Sequence, residues 1–328
     1  MTWPQAFKRI PAASWAQRPV GSFALHYDTV ENHGWYANLE PTVEQLDSFL
    51  QAGQTLIDYS GGTGILTERL LQRWGNRDQN ILIVDSSPKF LRLALDKFES
   101  DPRVAFRRIR FLRDEKRLQH LHEVVPTSLR ESGVHALVST NAIHLYNQLE
   151  QTASSWYQVL RPGSRIFIQS GNIDHPGRNA DEWIIDDTVH HLHRTAVDIV
   201  RSGAYEAYRH HLDDEKRMAA YDALRHKYFL PVRPSSHYIN SLQQVGFVDL
   251  QTTTSRIEAH RNDWADFLCA YHEGVLGWIG GVEKIEGTPP TDQAVQDRIS
   301  LLRTALSQVF ENRKTFFCCW TYITGRRP

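Results

Sequence analysis

The sequence predicts an α/β protein built on a doubly wound, mostly parallel sheet of seven strands with helical cap insertions. Three observations carry that reading. Short apolar runs alternate with stretches of helical period between residues 54 and 172, as strands joined by crossover helices do. A glycine-rich turn, Ser60-Gly61-Gly62-Thr63-Gly64, separates the first run from the first helical stretch, and an acid, Asp85, ends the next run. Two long helical stretches rich in aromatic residues then interrupt the alternation. Together they describe a Rossmann-like sheet carrying additions.

The elements follow in order. The first 35 residues, with Pro4, Pro11, Pro19 and Gly21, are expected to be irregular. A helix is expected after Pro41, with Val43, Leu46 and Leu50 on one face and Gly53 beyond its end. Thr55-Leu56-Ile57 is the first strand, and Ile65, Leu66, Leu70 and Leu71 mark the helix after the turn. Ile81 to Val84 is the second strand. Pro88 suits a first helical position, and Leu91, Leu93, Ala94, Leu95 and Phe98 follow with helical spacing. Val104 to Leu112 reads as a third, half-exposed strand and Ala136 to Val138 as a fourth. A helix through Trp156 and Leu160 stops before Pro162-Gly163, and Arg165 to Gln169 is the fifth strand. Val248 to Ser255 and Thr315 to Thr324 supply the last two. The expected organisation is an N-terminal helical segment over 1–53, a core over 54–172, 236–258 and 313–328, and cap insertions over 173–235 and 259–312. A compact domain does not carry unstructured loops of that length, so both insertions should be folded.

Composition narrows the function classes. A length of 328 residues fits two domains or one large domain with insertions. The 37 basic and 38 acidic residues nearly cancel, which removes a general electrostatic reason to bind nucleic acid or an anionic membrane. No run approaches the ~18 apolar residues of a membrane span, and the N-terminus lacks the apolar stretch of a secretory signal. Three cysteines cannot form a disulfide framework, so a reduced, cytoplasmic protein is expected. His190 and His193 have chelating spacing, but no H-E-x-x-H pattern accompanies them and no metal is expected. The run Arg107, Arg108, Arg110 and Arg113 reads as a solvated edge.

The chemistry lies in the turn. Glycine lets a ligand approach the backbone, and Asp85, 21 positions after Gly64, stands where a carboxylate accepts hydrogen bonds from ribose hydroxyls. These features specify an adenosine-type ligand. A dinucleotide turn would carry a third glycine where Thr67 stands. Asp58, ending the first strand, would repel a pyrophosphate and attract an ammonium group. That combination favours S-adenosylmethionine. The alternatives are a nicotinamide-dependent oxidoreductase and a catalytically silent binding protein.

At these residues the chain resembles class I S-adenosylmethionine-dependent methyltransferases. LIDYSGGTGILTERL is similar to their first motif, ILIVDSSPKFLRLA to the second, ALVSTNAIHLY to the fourth-strand segment, LRPGSRIFIQSG to the turn before strand five and LQQVGFVDLQT to the turn opening strand six. The resemblance covers residues 41–172 well and 238–257 more loosely. It implies a cofactor site formed by Asp58, Ser60, Gly61, Gly62 and Gly64, with Asp85 on the ribose, Ser86 beside the adenine and Asn141 beside the methionine moiety. Ser60 replaces the family's first glycine, which a serine tolerates at negative φ. Asp114 is the nearest candidate for an acid beside the adenine amine.

The acceptor is expected to be a small, aromatic or apolar organic molecule, such as a specialised metabolite. Segments that hold a flipped base or attack cytosine are missing from the sequence. The insertions bear Trp183, Tyr205, Tyr208, Tyr221, Tyr228, Phe229, Trp264, Phe267, Tyr271 and Trp278, which suit an apolar chamber. His144, following the fourth strand, is the first candidate for a base, with Tyr271 and His237 next. The expected partners are a small-molecule substrate, no nucleic acid and no membrane, with a homodimer left open.

Overall fold

A computed structural model describes residues 3–4, 7–31 and 34–328. In chain order its main elements are α1 (Ser22–Glu31), α2 (Glu40–Phe49), β1 (Thr55–Tyr59), α3 (Ile65–Trp74), β2 (Asn80–Asp85), α4 (Pro88–Phe98), β3 (Val104–Arg108), β4 (Val134–Thr140), α5 (Leu149–Val159) and β5 (Leu160–Ser170). They continue with α6 (Asp187–Arg201), α7 (Glu215–Tyr228), α8 (Ser235–Val245), β6 (Val248–His260), α9 (Arg261–Ala270), α10 (Asp292–Val309) and β7 (Thr315–Arg326).

The sheet runs β6-β7-β5-β4-β1-β2-β3. Among these seven, β7 runs antiparallel to both β6 and β5. Beyond the seven expected strands, Glu182–Trp183 adds a short eighth, parallel to the start of β7. Every residue of β1 and β2 is buried, because helices cover both faces, as in parallel sheets generally. Leu56, Ile81, Ile83 and Phe106 face one apolar cluster with α2, α3 and α4. Ile57, Leu82, Val84 and Ala105 face the other, with α5 and α8. This alternation along each strand fixes which side each crossover helix occupies. The strand order reverses between β1 and β4, which opens a crevice at their carboxyl ends.

The insertions are folded. α6 packs on α10, and α9 packs on both α10 and α1. Their apolar residues, Leu192, Ala196, Leu268, Leu301 and Leu302 among them, belong to the same cluster as one sheet face. Arg298 of α10, wholly buried, ties the loop before α10: its guanidinium donates to the carbonyls of Ile279 at 2.6 Å and Gly281 at 2.6 Å. Among the described residues no helix is long and apolar enough to cross a membrane.

Three expectations need correction. The segment before residue 35 contains a ten-residue helix, α1, which packs on α4 and α9. Strand β3 stops at Arg108, and Phe111–Leu112 pairs instead with Arg117–Leu118 in a separate hairpin. Arg107 is also no solvated residue. Its guanidinium lies 4.2 Å from the centroid of the Phe7 ring and donates to the carbonyl of Lys8, so the N-terminal segment covers it.

Candidate cofactor and acceptor sites

After β1 the chain turns sharply at Ser60 and enters α3 at Ile65. Ser60 has a φ of 60°, in the left-handed region rather than the expected negative one, at a cost of about 1 kcal/mol for a residue with a Cβ. Two bonds hold it there: its N–H donates to the Val84 carbonyl at 2.7 Å, and its hydroxyl shares a 2.8 Å hydrogen bond with the Tyr146 hydroxyl. Tyr146 also meets Ser139 of β4 at 3.0 Å, pinning the turn to the neighbouring strand. Gly61 admits no side chain, because a Cβ would stand 2.8 Å from the Asp58 carboxyl carbon. Gly64, at a φ of 82°, lies against the Phe98 ring, which a Cβ would meet at 2.6 Å.

Two carboxylates frame this turn. Asp58 is wholly buried beneath it; the Thr67 hydroxyl donates to Oδ2 at 2.8 Å, while Oδ1 has no partner among the described residues. Burial pushes its acid up to about 7. Thr67, standing where a dinucleotide turn has glycine, is thus the residue that orients Asp58. Asp85 accepts from the Gly62 N–H at 2.9 Å and the Ser87 N–H at 2.7 Å, and burial raises its acid as well. The cap of α4 is Ser87, whose hydroxyl accepts from the Phe90 N–H.

A cavity of about 240 Å³ lies over the turn, lined by Ser60, Gly61, Gly62, Asp85, Ser86 and Asn141. A larger one, about 560 Å³, continues from Ser60, Asp85 and Ser86 toward Ile109 and Tyr146. Gly64 and Asp58 stand behind this lining and shape it. Asp114 is exposed on the hairpin and lines neither cavity. The residues present fit S-adenosylmethionine: an unpaired buried carboxylate oxygen under the turn matches an ammonium group, and Asp85 at the junction of the two cavities matches a ribose.

A third cavity, about 300 Å³, adjoins the first and shares Tyr27, Asn141 and Leu145 with it. Tyr228, Phe229, Trp264, Phe267 and Tyr271 from the insertions line it, together with Trp320 of β7. Trp264 and Phe267 stack with centroids 5.1 Å apart, and Phe267 lies 5.0 Å from Tyr271. The Trp264 indole donates to the Thr188 hydroxyl at 2.9 Å, which fixes its ring. The other aromatics singled out above lie elsewhere: Trp278 is core, Trp183 packs on Phe310, and the hydroxyls of Tyr205, Tyr208 and Tyr221 bond Ser300, Asp297 and Glu286.

His144 also lines the third cavity, in a fixed state. The Asp186 N–H donates to Asn172 Oδ1 at 2.8 Å, so the Asn172 amide nitrogen is the donor to His144 Nε2 at 3.1 Å. The ring proton therefore sits on Nδ1, which donates to the Ser170 hydroxyl at 3.0 Å. Burial pushes His144 down to about 4. A neutral imidazole with its lone pair engaged is a poor proton acceptor. His237 lines neither this cavity nor the two over the turn; its ring meets Arg233 and Tyr238 instead. Sequence reasoning passed over Asn172 and Asp186. The pair Asp186-Asp187 at the head of α6 is what any helix start attracts, and nothing local reports that Asp186 is buried.

Residues 57–168 match the family described as "Methyltransferase domain". Over 126 residues the chain is 29% identical to the hybrid PKS-NRPS synthetase apdA of Emericella nidulans, covering 38% of this chain and 3% of that protein. Phosphoethanolamine N-methyltransferase 2 of Haemonchus contortus, solved with phosphomonomethylethanolamine and S-adenosylhomocysteine, shares 14% identity at a TM-score of 0.50, over 99% of this chain and 61% of that one. The YcgJ protein of Bacillus subtilis shares 11% identity at a TM-score of 0.51, over 89% and 98%. Residues 57–168 thus match a methyltransferase domain, and the fold around them is similar to that of solved methyltransferases. The chain spans only 3% of the length of its curated relative.

Proposed function

We propose that the protein transfers a methyl group from S-adenosylmethionine to a small, aromatic or apolar organic acceptor held in the third cavity, and that residues 173–235 and 259–312 act as its acceptor-binding cap. The observation that carries this reading is that the cavity over the turn and the aromatic cavity share Tyr27, Asn141 and Leu145. Ligands in the two would touch. The similarity to a hybrid PKS-NRPS synthetase supports a specialised metabolite as acceptor.

Asp58, Gly61 and Gly62 would bind the amino-acid end of the cofactor, Asp85 the ribose and Ser86 the adenine side. Bound there, S-adenosylmethionine supplies an electrophilic methyl on a sulfonium. The chain's own work is to align the acceptor and exclude water, which is the larger part of catalysis for such a transfer. Asn141, at a φ of 53° and with its Oδ1 accepting from the Trp320 indole at 3.2 Å, joins the two cavities. His144 serves as a positioning residue, holding Asn172 rather than taking a proton.

Titration calorimetry with S-adenosylhomocysteine tests the cofactor site. Asp85→Ala is expected to weaken binding by roughly 1.5–3 kcal/mol, the scale of a hydrogen bond to a charged group. Unchanged affinity in that variant removes Asp85 from the site, and no binding to the wild-type chain overturns the function. Radiolabel transfer across a panel of small acceptors then tests turnover.

A further inference from the structure

Among the residues lining the aromatic cavity, one carries a carboxylate: Asp186. It occupies the N-cap position of α6, yet its side chain accepts no hydrogen bond from the first turn of that helix. The side chain is instead engaged by the Asn172 amide, and the residue lines the cavity while only 6% exposed. Among the described residues no lysine, arginine or histidine forms an ion pair with it. The charged and titratable groups around it are Asp187 beside it in sequence, Tyr238, His144 across Asn172, and Lys227, Tyr228 and Tyr271 on the cavity wall; Arg233, which acts on both His144 and Tyr238, is the next cation and makes no ion pair with it. Lys227 is exposed, so its ammonium is solvated.

A carboxylate taken out of water without a cation is costly. Here burial outweighs both the Asn172 amide and the helix terminus, and pushes the acid up to about 7. A ligand that brings its own cation removes the cost. The rest of the wall suits that cation. Trp264, Phe267, Tyr271, Tyr228 and Trp320 present aromatic rings, whose faces attract ammonium groups within about 6 Å. A neutral apolar acceptor would use the rings and leave Asp186 unanswered.

We propose that the acceptor is a primary or secondary amine on an aryl-sized apolar body, its ammonium group paired with Asp186 and framed by the aromatic rings. This rests on the reading of that cavity as the acceptor site and names its substrate class. Asp186 takes one proton from the ammonium, leaving a neutral amine with a free electron pair. The new N–C bond forms from that pair as the S–C bond breaks, and the sulfur keeps its electrons. The positive charge passes to the methylated ammonium, and the Asp186 proton leaves to solvent.

The test is calorimetric binding at about pH 8, where both the carboxylate and aliphatic amines are charged. Benzylamine, 2-phenylethylamine and tryptamine are compared with benzyl alcohol, 2-phenylethanol and tryptophol, using the full chain saturated with S-adenosylhomocysteine and the chain alone. At least one amine is expected to bind about tenfold or more tightly than its alcohol. Asp186→Asn is expected to bring that ratio to about one, with alcohol and S-adenosylhomocysteine affinities within about twofold of wild type. No amine preference in the wild-type chain overturns the proposal without any variant, as does a preference that survives Asp186→Asn in a chain that melts as wild type. The cofactor reading fails separately: S-adenosylhomocysteine would not bind, while the amine preference persisted in the chain alone.

Discussion

Asp58 and Ser60 each hold a strained state that the turn imposes, and each strain has a measurable signature. In the folded chain Asp58 keeps its proton to about pH 7; unfolded, it loses it near its ordinary value of 3.8. The folded state therefore binds more protons between those values, and stability contributed by Asp58 falls as pH rises from about 4 to 7, then stays level. Asp58→Asn removes the charge and keeps an acceptor for Thr67. We expect it to be more stable than wild type at pH 8 by roughly 2–4 kcal/mol and to lose that advantage at pH 4. Urea unfolding at both pH values measures the gap, and a gap that does not change with pH refutes the assignment. For Ser60, two terms of similar size oppose each other. Ser60→Gly relieves the positive φ, worth about 1 kcal/mol, but loses the bond to Tyr146, also about 1 kcal/mol. The single substitution should be nearly neutral. In a Tyr146→Phe background, where that bond is already gone, Ser60→Gly should stabilise by about 1 kcal/mol. Equal effects in both backgrounds would mean that Tyr146 does not hold the turn.

At the scale of elements, what was legible in sequence is what short-range pattern encodes. The strand–turn–helix from Thr55 to Trp74 was readable because apolar runs, glycines and amphipathic spacing lie within twenty residues of one another. Asp85 was readable for the same reason. Helix α1 was not: its Phe23 and Leu25 are exposed, its apolar residues follow no clear stripe, and it forms against α4 and α9, far away in sequence. Asp186 escaped because its burial depends on its contact with Asn172, fourteen residues earlier; His237 meets Arg233, one helical turn away. Arg298 is another long-range device. Its side chain satisfies the carbonyls of Ile279 and Gly281 and meets His272 at 2.9 Å, locking the loop that leads into α10. Replacing it with Met keeps bulk and leaves those carbonyls unpaired. Arg298→Met should cost roughly 3 kcal/mol or more. It should also open residues 272–291 to limited proteolysis before the sheet unfolds. Wild-type proteolysis and melting would show that the clamp is dispensable.

At the scale of the whole molecule, the sheet supplies one cavity, the insertions supply most of another, and α1 touches both. Tyr27 of α1, Asn141 after β4 and Leu145 line the two together. Tyr27 stacks on Phe90 at the head of α4, with centroids 4.7 Å apart, so it is anchored beside the cavity over the turn while also lining the aromatic one. Ligands sharing such a wall order the same side chains, and the second to bind meets less entropy cost than the first. We therefore expect positive coupling between S-adenosylhomocysteine and an acceptor analogue. The factor should be about 5- to 20-fold and must be the same in either order of addition, because coupling free energy is reciprocal. Calorimetry of each ligand in the absence and presence of the other reads it directly. Tyr27→Ala should reduce the factor toward one while weakening each ligand alone only modestly, since each cavity keeps its other walls. Independent binding in the wild-type chain would separate the two cavities, and with them the path from cofactor to acceptor on which methyl transfer depends.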